Sequence, residues 1–196
     1  PDVPVNVFNG DPFQINGWLR DDDADVGLTV RSWTDPDYSW TPLIQDRFYG
    51  LLPKSDPHQH SVSVQDFEDK YIFIPNPYGN RDITNLLDKY DISYQVPNDN
   101  TISMMSVNTN VAVGRGYSIS TGLMIDSNRV VAEIPELQPK ILPIEPETYR
   151  EIGLSRKKNA GRSPLVDDFI RCLKQVIQEY PIKPIESEAS DSEGEK

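Results

Sequence analysis

Apolar residues recur along this chain in short alternating or one-face patterns, and no long block of them is unbroken. Val3, Val5 and Val7 alternate with other residues ahead of Phe8, which is the period of a strand. Asn9-Gly10 reads as a turn, and Asp11-Pro12-Phe13-Gln14 as a helix start. Asp11 can cap free amides, Pro12 suits the first helical position, and Gln14 completes a capping box. Ile15, Trp18 and Leu19 then share one helical face, and residues 25–30 form a short apolar strand. Strand, helix and strand in about thirty residues predict a parallel βαβ unit. Residues 32–46 read as an aromatic-rich loop, 48–52 as a strand, and 64–67 as a single helical turn.

A second βαβ pattern follows. Residues 71–74 are a buried-type strand, and 75–80 are a turn. Ile83, Leu86, Leu87 and Tyr90 form a helix face, and 92–96 a strand. Residues 101–113 read as a helix capped by Asn100 or Thr101, with strands predicted at 117–120, 130–134 and 141–144. Residues 148–158 read as an extended return strand. Ser163-Pro164 starts a last helix whose Leu165, Phe169, Leu173 and Val176 make a stripe expected to be buried. The order predicts an α/β protein in two lobes joined by two crossover strands: residues 1–50 with 151–180, and residues 51–150.

Composition narrows this picture. Seventeen prolines among 196 residues argue against a helical bundle. The net charge of −12, without a Lys/Arg cluster, excludes nucleic-acid binding by this stretch, because phosphate neutralisation needs grouped cations. Residues 181–196 carry part of that charge, −4 in the stretch ESEASDSEGEK, and are expected to be a disordered, solubilising tail. The single cysteine, Cys172, rules out an internal disulfide and suits a reducing cytoplasm. No apolar run reaches membrane-spanning length, so no membrane partner is expected.

Several stretches, in order, resemble the regulatory domain of LysR-type transcriptional regulators. They are PDVPVNVFNGDPFQINGWLRDDDADVGLTV, RFYGLLPKSDPHQHSVSVQDFEDKYIFIP, SMMSVNTNVAVGRGYSIST, and LQPKILPIEPETYREIGLSRKKNAGRSPLVDDFIRCLKQVI. The resemblance covers nearly all of residues 1–180. It implies a two-lobed periplasmic-binding-protein-like (type 2) fold, assembly as a homodimer or tetramer, and a small inducer, a carboxylate or aromatic metabolite, in the cleft between lobes. It also implies that the winged helix-turn-helix, through which DNA would be bound, is not in this stretch, nor are the domain's first strand and helix. A solute-binding protein of the same fold, serving a transporter, is the alternative.

By matching position, the resemblance puts Asn9, Gly10 and Asp11 at the ligand, with Thr29 and Arg31 at the following strand end. From the other lobe it adds Pro75, Asn76, Pro77, Tyr78 and Gly79, and the helix start at Thr101 and Ser103, where free amides can hold a carboxylate. Asn9-Gly10 reads equally as a plain turn, and Arg31 equally as the partner of a nearby Asp. Trp33 and Trp40 fit a core, a lid or a dimer contact. His58 and His60 lack an evident third ligand, so no metal is expected, and no cofactor motif is present. No P-loop, G-x-G-x-x-G after a strand, G-x-S-x-G or H-E-x-x-H occurs, so no catalytic set is predicted.

Overall fold

The computed structural model describes residues 4–75, 80–96, 103–127, 134–159, 161, 163–181 and 185. The chain divides into two compact units, Pro1–Ile44 with Glu151–Tyr180, and Gln45–Arg150 with Pro181–Lys196. Two strands, β2 (Tyr38–Leu52) and β7 (Tyr149–Lys157), contribute residues to both.

The first unit begins without the strand expected at 3–8. Residues 4–10 are irregular, and Val5 and Val7 are 60% and 86% exposed. The alternation is strand-like, but a strand needs a neighbour for its amide and carbonyl groups, and none of the described strands lies beside it. Helix α1 (Pro12–Arg20) starts as its sequence predicts, with Gln14 N donating to Asp11 Oδ1 and Asp11 N to Gln14 Oε1, each at 2.9 Å. Strand β1 (Gly27–Val30) is antiparallel to β7, in register from Gly27↔Ser155 to Val30↔Ile152. The expected parallel βαβ unit is therefore replaced by an antiparallel pair carrying α1. Gly27 allows the helix this close, since a Cβ there would lie 2.6 Å from Ile15 Cγ2. A 3-10 turn, Arg31–Trp33, then buries Trp33. Strand β2 starts at Tyr38, inside the stretch read as loop.

The second unit holds the larger core. Phe48, Leu52, Val62, Val64, Phe67, Ile72, Ile74, Ile83, Leu86, Leu87, Ile119, Leu142 and Ile144 pack as one cluster. In this unit β2 pairs antiparallel with β5 (Ser118–Thr121) and β6 (Lys140–Pro143). The second βαβ is present: β3 (Lys70–Tyr71) and β4 (Tyr94–Gln95) are parallel, with α2 (Arg81–Lys89) between them. Ile83, Leu86 and Leu87 are the buried face of α2, as their spacing predicts. Helix α3 (Met104–Ala112) is shorter than expected and is capped by Ser103, whose Oγ accepts from Ser106 N at 3.2 Å. Helix α4 (Gly122–Ser127) was not predicted. The strand expected at 130–134 falls almost wholly outside the described residues, as does most of the acidic tail.

Helix α5 (Pro164–Glu179) corrects another expectation. None of its residues is buried, and Leu165 and Val176 are 55% and 50% exposed. The stripe is real as a pattern but lies against no core of its own unit. No described helix is long and apolar enough to cross a membrane.

Candidate functional site

The predicted residues of the first unit fall in two places. Asn9 and Gly10 line a groove of about 740 Å³ together with residues 4–8, Trp18, Gly27, Leu28 and, from α5, Leu165, Val166 and Phe169. Gly10 is where it is because a Cβ would meet the Trp18 ring at 2.6 Å. Asp11 beside it is occupied as the α1 cap. The groove is largely apolar, and β1 is the edge strand of its sheet.

Thr29 and Arg31 lie elsewhere. Strand alternation turns Leu28, 49% exposed, towards the groove, and Thr29, 6% exposed, to the other face. Thr29 is paired across the ladder with Gly153, against which the indole of Trp40 lies. Arg31 is exposed, and its guanidinium sits 4.7 Å from the Trp40 ring centroid. Thr29 Oγ1, Trp40 Nε1 and Ser155 Oγ are all buried, without a hydrogen-bond partner among the described residues. Trp40 and Ser155 were not singled out as ligand contacts in the sequence. Trp40 was hidden by the loop reading of 32–46, and Ser155 carries no local signal.

In the second unit, Pro75 is buried and its carbonyl accepts from Asn80 Nδ2. Asn76, Pro77, Tyr78, Gly79 and Thr101 lie outside the described residues. Ser103 is spent as the α3 cap. Two polar clusters stand in this unit instead. Asp56 accepts from the His58 backbone N at 3.0 Å and from Tyr117 Oη at 3.0 Å, and lies 2.8 Å from His58 Nδ1. Burial pushes the Asp56 carboxyl up, but the His58 amide and ring and the Tyr117 hydroxyl outweigh it, holding it below the ordinary carboxylate value. Tyr117 is pushed up by its own burial and by Asp56. The second cluster joins Asp46 and Arg150.

His58 is thus engaged by Asp56 and, at 3.6 Å, by Asp66, and among the described residues no group of three metal-binding side chains forms. These surfaces can hold a small molecule by hydrogen bonds, a stacked cation and apolar contact.

A family model described as LysR substrate binding domain matches residues 1–178. The HTH-type transcriptional regulator YoaU of Bacillus subtilis (strain 168) is 24% identical over 186 residues, which is 90% of this chain and 58% of YoaU. Among solved structures, the H2O2-bound OxyR C206S mutant of Corynebacterium glutamicum superposes with a TM-score of 0.71 at 17% identity, covering 87% of this chain and 54% of that one. The effector binding domain of QuiR in complex with shikimate gives a TM-score of 0.67 at 22% identity, covering 88% of this chain and 81% of that domain. The chain thus spans little more than half the length of YoaU and OxyR. With an α/β architecture like theirs and a family match over all but its last residues, this chain belongs to the LysR substrate binding domain family.

Proposed function

We propose that this chain is the effector-sensing part of a cytoplasmic, DNA-binding transcriptional regulator, and that it acts without catalysis. The observation that carries the reading is the family match over residues 1–178. Relatives whose names speak of an HTH-type transcriptional regulator and of an effector binding domain holding shikimate support it, over a transporter-associated binding protein. In this reading a small metabolite binds at strand ends of the domain, where Thr29 and Arg31 stand. In this reading DNA contact belongs to a separate helix-turn-helix, since this stretch, at net charge −12, has no Lys/Arg cluster to neutralise phosphates.

A ligand shifts a regulator only by its different affinity for two states. Binding is therefore expected to change the lobe arrangement or the homodimer or tetramer assembly. The test is small-angle scattering and sedimentation of the intact regulator with a ligand found by thermal-shift screening of small carboxylates and aromatic metabolites. A change in shape or assembly at saturation is expected. Identical profiles with and without saturating ligand would overturn the mechanism.

A further inference from the structure

His58 faces a carboxylate from each of its ring nitrogens. Nδ1 lies 2.8 Å from Asp56 Oδ1, and Nε2 lies 3.6 Å from Asp66 Oδ2. A neutral imidazole carries one N–H and one bare lone pair, so it can serve only one of two acceptors. The buried partner decides which. The Asp56 side chain is 6% exposed, and its carboxyl is pushed up by burial but held below the ordinary value by the His58 amide and ring and the Tyr117 hydroxyl. It is therefore an ionised acceptor near neutral pH, and a 2.8 Å contact with it needs the proton on Nδ1. The neutral ring is left with a bare Nε2 pointing at a second carboxylate.

Asp66 is held where it is. Its Oδ2 accepts from Ser63 N at 2.7 Å and from Ser63 Oγ at 2.9 Å, in the capping box of the turn Val64–Phe67. That turn buries Val64 and Phe67 in the main core of the second unit. The His58 backbone is fixed as well. From β6, the Lys140 ammonium donates to the carbonyls of Asp56 at 2.5 Å and of His58 at 2.9 Å. Lys140 is also the cation that opposes a positive ring. Just ahead of β5, Tyr117 donates to Asp56, and from β3 the Lys70 ammonium lies 5.2 Å from the Tyr117 ring centroid.

We propose that His58 is a proton-operated clasp between the loop after β2 and the turn Val64–Phe67. With a proton on Nε2 the ring bridges both carboxylates. Without it, the ring keeps Asp56 alone and leaves Asp66 to the turn it caps. At 3.6 Å the second contact is an ion pair rather than a hydrogen bond, so it is the one that opens. The tie is present at the acid end of the range where histidines change charge, about pH 5 to 8, and is lost as pH rises through the ring's titration. The clasp lies within the second unit and does not rest on effector binding. It adds a pH-responsive element to the domain.

The test is NMR of the 15N-labelled chain at low salt between about pH 5 and 8, following the His58 ring nitrogens and the Ser63 amide. Nδ1 is expected to stay protonated throughout, and Nε2 to pass from protonated to bare as pH rises. The Ser63 amide is expected to shift with the ring, and that shift to be lost in His58→Gln. Asp66→Asn keeps an oxygen for Ser63 but no charge for the ring, and is expected to uncouple the two titrations. A neutral ring with its proton on Nε2, a Ser63 amide that ignores the ring, or one that still titrates in His58→Gln would overturn the clasp. The tautomer and the Ser63 shift are read in the original chain, so they decide the matter even where a variant unfolds.

Discussion

Arg150 places Nε at 3.0 Å and one terminal nitrogen at 2.9 Å from the same carboxylate oxygen of Asp46. The pair joins β7 to β2 just inside the second unit, and the Asp46 side chain is wholly buried. Its other oxygen accepts from Leu123 N at 3.0 Å, tying the start of α4 to the same point, and Asp82 lies 3.9 Å from Arg150. Removing one partner of such a pair leaves an uncompensated buried charge, which costs roughly 3–5 kcal/mol. Asp46→Ala is expected to lower the unfolding free energy by about that amount in urea titration. A loss within about 0.5 kcal/mol would show the pair to be no more than a surface contact.

Acid stability should report on Asp56. Its folded pKa lies below the unfolded value near 3.8, so its contribution is complete above that value and is lost as pH falls through the folded pKa. The acid limb below about pH 4 is therefore expected to flatten in Asp56→Asn. In Tyr117→Phe, which removes one of the groups lowering Asp56, the carboxyl pKa is expected to rise, as carboxyl 13C titration would show. A Tyr117→Phe chain with an unmoved Asp56 titration would mean the hydroxyl contributes nothing to that carboxylate.

Asp11 sits both at a predicted ligand position and at a helix cap. If the cap is its main work, Asp11→Ala loses about 1 kcal/mol of stability and Asp11→Asn much less, since Asn caps nearly as well. Equal losses for both in denaturant titration would point to the charge itself.

The groove beside β1 exposes Val5, Val7, Phe8, Leu28 and Leu165 together. Contiguous apolar surface of this kind binds apolar dyes. ANS fluorescence is expected to be enhanced on the folded chain, and to fall in Leu165→Glu and Val7→Glu with little change in thermal midpoint, because both residues are already exposed. Unchanged fluorescence in both variants would place the dye elsewhere.

What could be read from the sequence was what neighbouring residues decide among themselves. The Asp11–Gln14 capping box, the Ile83–Leu86–Leu87 face of α2 and the turn Val64–Phe67 are local and were legible. Pairing was not. Val5 and Val7 alternate like a strand but have no ladder beside them, and Tyr38–Asp46 looks like loop until β7 pairs with it. The stripe on α5 was legible as a pattern, while its exposure depends on what surrounds it. At the candidate site, Thr29 and Arg31 were named through the family resemblance, by their place at the end of a short apolar strand. Gly153 and Ser155 come beside them only through the β1–β7 register, between residues more than a hundred positions apart, while Trp40 meets Arg31 across nine positions once β2 replaces the expected loop.

The central claim, that this domain senses an effector on behalf of a DNA-binding head, is tested most directly by promoter-DNA affinity of the intact regulator. It should be measured with and without saturating ligand, at fixed salt. Coupling of the usual strength would change that affinity by about 5- to 150-fold, and DNA would change ligand affinity by the same factor. A ligand that saturates the domain yet leaves DNA affinity unchanged would contradict the account.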